Sequence, residues 1–411
     1  MERIEALGKI TEEPGRLTRT FGSSAMRKAN ELVGGWMRAA GMHVRQDAIG
    51  NLIGHYPGEE VQSLKSKVQS HEGKILLLGS HLDTVRDAGK FDGPLGVLVA
   101  IACVEQLKTK ESKLPFAIDV VGFADEEGVR YQSTYLGSRA IAGTFNAKDL
   151  TRKDRNGITM AKAIQDFGGD PRRLASAKLQ PERLVGYIEV HIEQGPVLEK
   201  EDLSVGVVNT ISGQTRIRVR FLGKADHAGT VPMQMRHDAL CAAAEFTLAV
   251  EAEAKRTRGL VATVGVLDVL PGASNVIPGE ANLTVDIRHS DDAVRRRAEA
   301  RLLARARNIK KTRSVDLNFS RVHEASSVVC DRRLSNLLLQ AVQRCQGRAI
   351  CLPSGAGHDA AAMADIAPIA MLFVRCKGGV SHHPAESVKY KDVAMAIPVM
   401  EGFIESLARH G

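Results

Sequence analysis

The chain has 411 residues, 44% hydrophobic and 25% charged, an ordinary globular composition on a length that exceeds one hydrophobic core, so two domains are expected. A formal charge of +8 accompanies only 4% aromatic residues and no nucleic-acid motif, which argues against a base-stacking surface and a nucleic-acid partner. The longest apolar run, 97–104, is far short of a membrane span and the first residues lack a secretory layout, so a cytoplasmic protein without a membrane partner is expected.

Apolar periodicity predicts a helix over 24–40, a buried strand over 74–79, a core-facing helix over 96–107, and strands over 116–123 and 184–192. This alternation predicts an α/β layer whose central sheet is mixed, largely parallel and flanked by helices. The polar stretch between Gly58 and Gly73 reads as a surface excursion. Near Ile211 the pattern changes. Residues 215–221 alternate strictly; a helix over 238–255, strands over 260–270 and 281–288, a basic helix over 292–310 and a strand over 315–321 follow. That order is an α+β ferredoxin-like plait. In the basic helix Val294, Ala298, Leu302, Ala306 and Ile309 recur at helical spacing, which leaves Arg295, Arg296 and Arg297 for a solvated face. A helix over 332–346, a strand over 368–374 and a closing helix from about 392, which Pro398 should kink, return to α/β patterning. One α/β domain, 1–210 and 325–411, is thus expected to enclose an inserted domain, 211–324.

The six cysteines form no Cys-x-x-Cys pair, which argues against a thiolate zinc site or a disulfide framework. Cys103 and Cys241 read as small core residues. Any metal should therefore have nitrogen and oxygen ligands.

Candidate ligands stand at strand ends, where open α/β sheets build their sites. His81 and Asp83 follow the 74–79 strand, and in an extended His-x-Asp both side chains share a face. The histidine can then bind a cation while the aspartate fixes its tautomer. Asp92 sits in a glycine-rich turn before a helix. Glu126 and Glu127 follow the 116–123 strand, where one can bind a cation while its neighbour moves protons. Strand alternation puts Tyr187, Glu189, His191 and Glu193 on one face, and ionisable groups there need a partner or a cation. His382 or His383, in a loop past the 368–374 strand, could supply a further ligand. Each of these alone is more often a surface turn or a satisfied polar group. Their recurrence without cysteine suits a zinc-like or manganese-like hydrolytic centre.

Seven blocks, 79–85, 91–96, 126–131, 191–196, 226–233, 354–360 and 379–386, resemble the M20 metallopeptidase-type amidases in the family's own order. The similar branch is that of allantoate amidohydrolases, N-carbamoyl-L-amino acid amidohydrolases and β-ureidopropionases. The resemblance implies two divalent metal ions per subunit, zinc or manganese, with cobalt or nickel as substitutes. The implied ligands are His81, Asp92 as the bridge, Glu127, His191 and His382, with Asp83 orienting His81 and Glu126 as general base. It implies that the inserted domain is a lid and homodimerisation domain. There His227 would polarise the substrate carbonyl across to a partner subunit, and Gln214, Asn275 and Arg288 would contact substrate. Gly357, His358 and Asp359 would line the pocket floor. His191 stands where related peptidases carry a carboxylate, which turns the expectation from peptides toward a small ureido acid. Allantoate is the first expectation and an N-carbamoyl amino acid the second. An aminoacylase or dipeptidase is the nearest rival, and a non-enzymatic basic binding module the remote one. Two positions depart from the pattern: His383 replaces an expected Asn or Ser, and Tyr131 an expected Phe.

Overall fold

The computed structural model describes residues 1–59 and 73–410, so the expected excursion between Gly58 and Gly73 falls almost wholly outside the described residues. The chain divides into two compact units. The first comprises Met1–Asn209, Cys330–Leu352 and Ala356–Gly411; the second comprises Thr210–Val329 with Pro353–Gly355.

The first unit is built on a mixed sheet. Its parallel pairings join four consecutive strands at the centre, Ala117–Phe123, Ile75–His81, Leu184–Ile192 and Ile369–Val374. These four are buried almost throughout, which is why apolar residues dominate them and polar ones enter at only a few positions. Antiparallel neighbours flank them: the hairpin of His43–Gln46 and Leu52–Tyr56 on one side, Val205–Ile211 on the other. Register pairs His81 with Phe123, and His191 with Phe373, so the carboxyl ends of the central strands share one edge.

Helix Ser24–Ala39 begins where the Ser23 side chain accepts the Met26 N–H, and it buries Met26, Ala29, Val33 and Met37 along one stripe. Helix Pro94–Thr109 starts with proline in its first turn and is apolar nearly all round, as a helix packed into a core must be. Gly93 precedes it at φ 79°, and a Cβ there would lie 2.4 Å from the His81 ring. Only glycine lets the turn carrying Asp92 approach that histidine. The closing helix, Tyr390–His410, runs as one element through Pro398.

The second unit is a four-stranded antiparallel sheet in the spatial order Asp316–Ala325, Gly213–Leu222, Glu280–His289, Val261–Leu270. With helices Ala239–Arg256 and Asp292–Thr312 between its strands, it is the ferredoxin-like plait expected from the alternation. Ile217, Val219 and Phe221 face Phe246, Leu302 and Ile309 in its core.

Three details differ from expectation. Arg295 is fully buried rather than solvated. Its guanidinium lies 3.0 Å from Asp292 Oδ1 and 3.4 Å from Glu324 Oε1, donates to Gln214 O at 3.2 Å and contacts Thr215 Oγ1, so the charge enters the core already paired. Val294, expected in the buried stripe, is only half-buried. Cys241 is exposed, whereas Cys103 is in the core as expected. Elsewhere on the basic helix, Arg296, Arg301 and Arg305 each pair with a glutamate. Among the described residues, no helix is long and apolar enough to cross a membrane.

Candidate metal centre

The strand ends of the first unit bring five sequence-distant segments together. Asp92 is at the middle. Its Oδ1 lies 3.1 Å from His191 Nε2 and 3.5 Å from His81 Nε2, and its Oδ2 lies 3.1 Å from His382 Nε2. His382 Nε2 is also 3.3 Å from Glu127 Oε1. Ligand atoms of His81, Asp92 and His191 all lie within 4.8 Å of one another, and so do those of Asp92, Glu127 and His382. Two further groups meet the same distance, His81 with Glu126 and Glu127, and Glu189 with His191 and His358.

This donor chemistry fits divalent cations: imidazole nitrogens and carboxylate oxygens, with no thiolate in the groups found among the described residues. Asp92 presents one oxygen to each of two separate ligand groups, which suits a bridge. Of the two adjacent histidines, His382 is the one facing Asp92 and Glu127. His383 instead accepts the Ala385 N–H at 3.1 Å within its own loop.

Asp83 has two jobs. Its Oδ1 lies 3.3 Å from His81 Nδ1, and its two oxygens accept the backbone N–H groups of Glu126 at 3.0 Å and Glu127 at 3.2 Å. Glu189, on the His191 strand, accepts from Ser80 Oγ at 2.8 Å and from the Ala360 N–H at 2.9 Å. Glu193, expected on the same face, turns away to cap the next helix through the N–H groups of Val197 and Leu198.

Electrostatics follow from burial and crowding. Burial pushes the Glu126 carboxyl well above the ordinary carboxylate range, and the Glu127 charge beside it pushes the same way. Burial works against protonated His81, but Asp83 and Asp92 outweigh it and hold the imidazolium well above its usual range. Burial would also raise Asp92; His191, His382 and His81 reverse that and hold it far below. His382 is pushed up to about 10 by Asp92 and Glu127. His358 goes the other way, since burial and then His191, at 4.5 Å between ring centroids, favour its neutral form. Gly357 admits no side chain, because a Cβ would fall 1.8 Å from the Tyr135 hydroxyl. Asp359, fully buried, accepts from Ser138 Oγ at 2.5 Å.

In the second unit, taken by itself, Gln214 and Arg288 meet at Asp286. Arg288 Nε and Nη2 reach the two Asp286 oxygens at 2.9 and 3.1 Å, and Gln214 Nε2 reaches Oδ2 at 2.5 Å. Arg288 Nη1 donates to Gly355 O at 2.7 Å. His227 is exposed on the short strand Asp226–His227, and its Nδ1 accepts the Gly229 N–H at 3.0 Å. The next residue, Ala228, donates its N–H to Asn275 O at 2.9 Å.

Sequence reasoning assigned nothing to Asp125, Asp286, Gln194, Ser381 or Glu386. Asp125 is buried with its carboxyl pushed well up by burial and the Asp83 charge. Gln194, Ser381 and Glu386 all touch Asp92 or its backbone. The available signal was their position inside the same short blocks as His191 and His382.

Residues 77–406 match the model of peptidase family M20/M25/M40. An allantoate deiminase of Arabidopsis thaliana is 40% identical over 435 aligned residues, covering 98% of this chain and 81% of that protein. An N-carbamoyl-L-amino acid amidohydrolase of Geobacillus stearothermophilus is 39% identical over 409 residues, covering 99% and 98%. Among solved structures, an amidase of the hydantoinase/carbamoylase family from Burkholderia multivorans has a TM-score of 0.90 at 30% identity, covering 99% of this chain and 96% of that one. With a family model spanning the centre just described and full-length relatives at this identity, the chain belongs to peptidase family M20/M25/M40 and is a hydrolase of carbon–nitrogen bonds.

Proposed function

We propose that the chain hydrolyses the terminal ureido group of a small carboxylated substrate, releasing the fragment as ammonia and carbon dioxide. The observation that carries this is the placement of Asp92, one oxygen toward His81 and His191 and the other toward His382 beside Glu127. In this reading two divalent ions, zinc or manganese with cobalt or nickel as substitutes, are held by His81, Asp92, Glu127, His191 and His382. Bound there, they supply acidity to a water and polarise the ureido carbonyl.

The chain's own groups do the rest. Glu126 takes a proton from the attacking water and returns it to the departing nitrogen as the carbon–nitrogen bond breaks. Its burial raises its proton affinity, as suits a carboxyl that must take a proton and hand it on. Asp83 holds His81 and the Glu126–Glu127 backbone in place. Arg288, whose planar fork matches two carboxylate oxygens, anchors the substrate's carboxylate with Gln214 beside it, while Asn275, next to the His227 segment, makes a further substrate contact. His227 polarises the ureido oxygen of a substrate bound to a partner subunit, which makes the second unit the dimerisation domain of a homodimer. Gly357 and His358 line the pocket floor.

Allantoate is the first candidate substrate and an N-carbamoyl-L-amino acid the second, since relatives of both names are almost equally similar. Ammonia release is measured with allantoate, ureidoglycolate, N-carbamoyl-β-alanine and several N-carbamoyl-L-amino acids, with dipeptides alongside and manganese, zinc or cobalt added. Turnover of at least one ureido acid with inert dipeptides is expected; dipeptide cleavage without ureido hydrolysis would sink the reading.

A further inference from the structure

Two side chains outside the ligand set, Gln194 and Ser381, converge on one oxygen of Asp92, and a third, Glu386, holds its backbone. Gln194 Nε2 donates to Asp92 Oδ2 at 2.8 Å, and Ser381 Oγ donates to the same oxygen at 2.7 Å. A hydroxyl has one proton to give, so this shorter contact takes it, and the Ser381 oxygen accepts from Gln194 Nε2 at 3.1 Å. Glu386 completes the ring. Its Oε2 lies 3.2 Å from Ser381 Oγ, while its Oε1 accepts the backbone N–H groups of Phe91 at 2.8 Å and Asp92 at 3.1 Å. Asp92 is therefore gripped at both its side chain and its backbone.

Backbone conformation supports this picture. Gln194 (φ 57°) and His382 (φ 56°) are both left-handed, which side chains other than glycine rarely adopt. Both strained residues deliver a nitrogen to Asp92 Oδ2. Strain held at two positions that point at one atom implies that the direction of that atom matters.

The contacts are one-sided. Oδ1 faces His81 and His191, whereas Oδ2 alone receives the amide and hydroxyl donors. A carboxylate free to rotate could give both oxygens to a single cation at His81 and His191. We propose that Gln194, Ser381 and Glu386 are positioning residues that lock the plane of Asp92, reserving Oδ2 for the cation held with Glu127 and His382. The lock makes the second cation, rather than the first, depend on these three side chains. This inference rests on the two-cation reading above.

The test uses the full-length, metal-stripped protein titrated with Mn2+ alone, by equilibrium dialysis with elemental analysis and by electron paramagnetic resonance. The unaltered chain should take up two ions with a spin-coupled spectrum. Ser381→Ala and Gln194→Leu should bind the first ion as before, bind the second about 10- to 100-fold more weakly, and show an isolated-ion spectrum. Ser381→Thr, which keeps the hydroxyl, should restore the coupled pair. A second ion bound within about threefold of the unaltered affinity by both variants overturns the proposal, since an outer partner of a metal ligand should cost more than that. Loss of both ions together, with circular dichroism showing a folded chain, also overturns it. Uptake of fewer than two ions by the unaltered chain overturns the two-cation reading and this proposal with it.

Discussion

Asp83 Oδ1 accepts the backbone N–H of Glu126 at 3.0 Å, so the residue that faces His81 also fixes where the glutamate pair begins. One buried carboxylate thereby joins the ends of two neighbouring parallel strands. Asp83→Asn keeps the shape but turns one acceptor into a donor that opposes a backbone N–H. We expect activity to fall about 10- to 100-fold with metal content reduced, read from kcat and elemental analysis on the same sample. Unchanged kcat would remove Asp83 from the site.

Glu126→Gln preserves size and removes the proton acceptor. Metal content should stay at the unaltered level while kcat drops by about 10²- to 10⁴-fold. If the variant keeps most of its turnover, another group carries the proton.

Proton release should accompany metal binding. Asp92 and Glu127 push His382 up to about 10, so in the metal-free protein it is an imidazolium at neutral pH. The sign follows: a histidine raised above its unfolded value stabilises fully below about pH 6.5, and that stabilisation is lost as pH rises through about 10. A cation must displace this proton, so affinity should weaken as pH is lowered from about 9 to about 6. Calorimetry in buffers of different ionisation enthalpy reads the protons released; binding heats that do not depend on buffer would contradict this.

Arg288→Ala removes a charged fork that is already aligned by Asp286. The loss of a charge-assisted pair with a substrate carboxylate, about 1.5–3 kcal/mol, should lower kcat/KM by roughly 10- to 100-fold. The effect should vanish for a ureido compound lacking the carboxylate. An equal penalty on both compounds would assign Arg288 a structural role.

Arg295→Leu tests the fold rather than the chemistry. Removing a fully buried cation leaves Asp292 and Glu324 without their shared partner, at a cost on the order of 3 kcal/mol, the low end for a broken buried pair because both acids are partly exposed. The urea midpoint should fall with an unchanged slope. A midpoint equal to that of the unaltered chain would show that the leucine packs as well as the paired arginine.

Much of the fold was legible because burial leaves a periodic trace. The run 369–374 is buried along its whole length and reads as a continuous apolar strand, and 215–221 alternates because only one face meets a core. Arg295 was misread for the same reason. Periodicity reports hydrophobicity, and a paired guanidinium enters a core without any hydrophobic signal. Glu193 was misplaced because alternation holds only while the strand lasts, and the strand ends at Ile192.

From the sequence alone came the α/β frame with its inserted plait, a cysteine-free donor set, and the short blocks that carry it. These are properties of neighbouring residues, and local hydrogen bonding and side-chain spacing express them directly. Tertiary structure alone decided that the two Asp92 oxygens look in different directions, that His383 turns back onto its own loop, and that Asp83, expected to orient His81, also holds the Glu126 backbone. Ser381 and Asp92 are 289 residues apart, and no local rule orients one against the other. Their geometry exists only once distant segments pack against the same edge of the sheet.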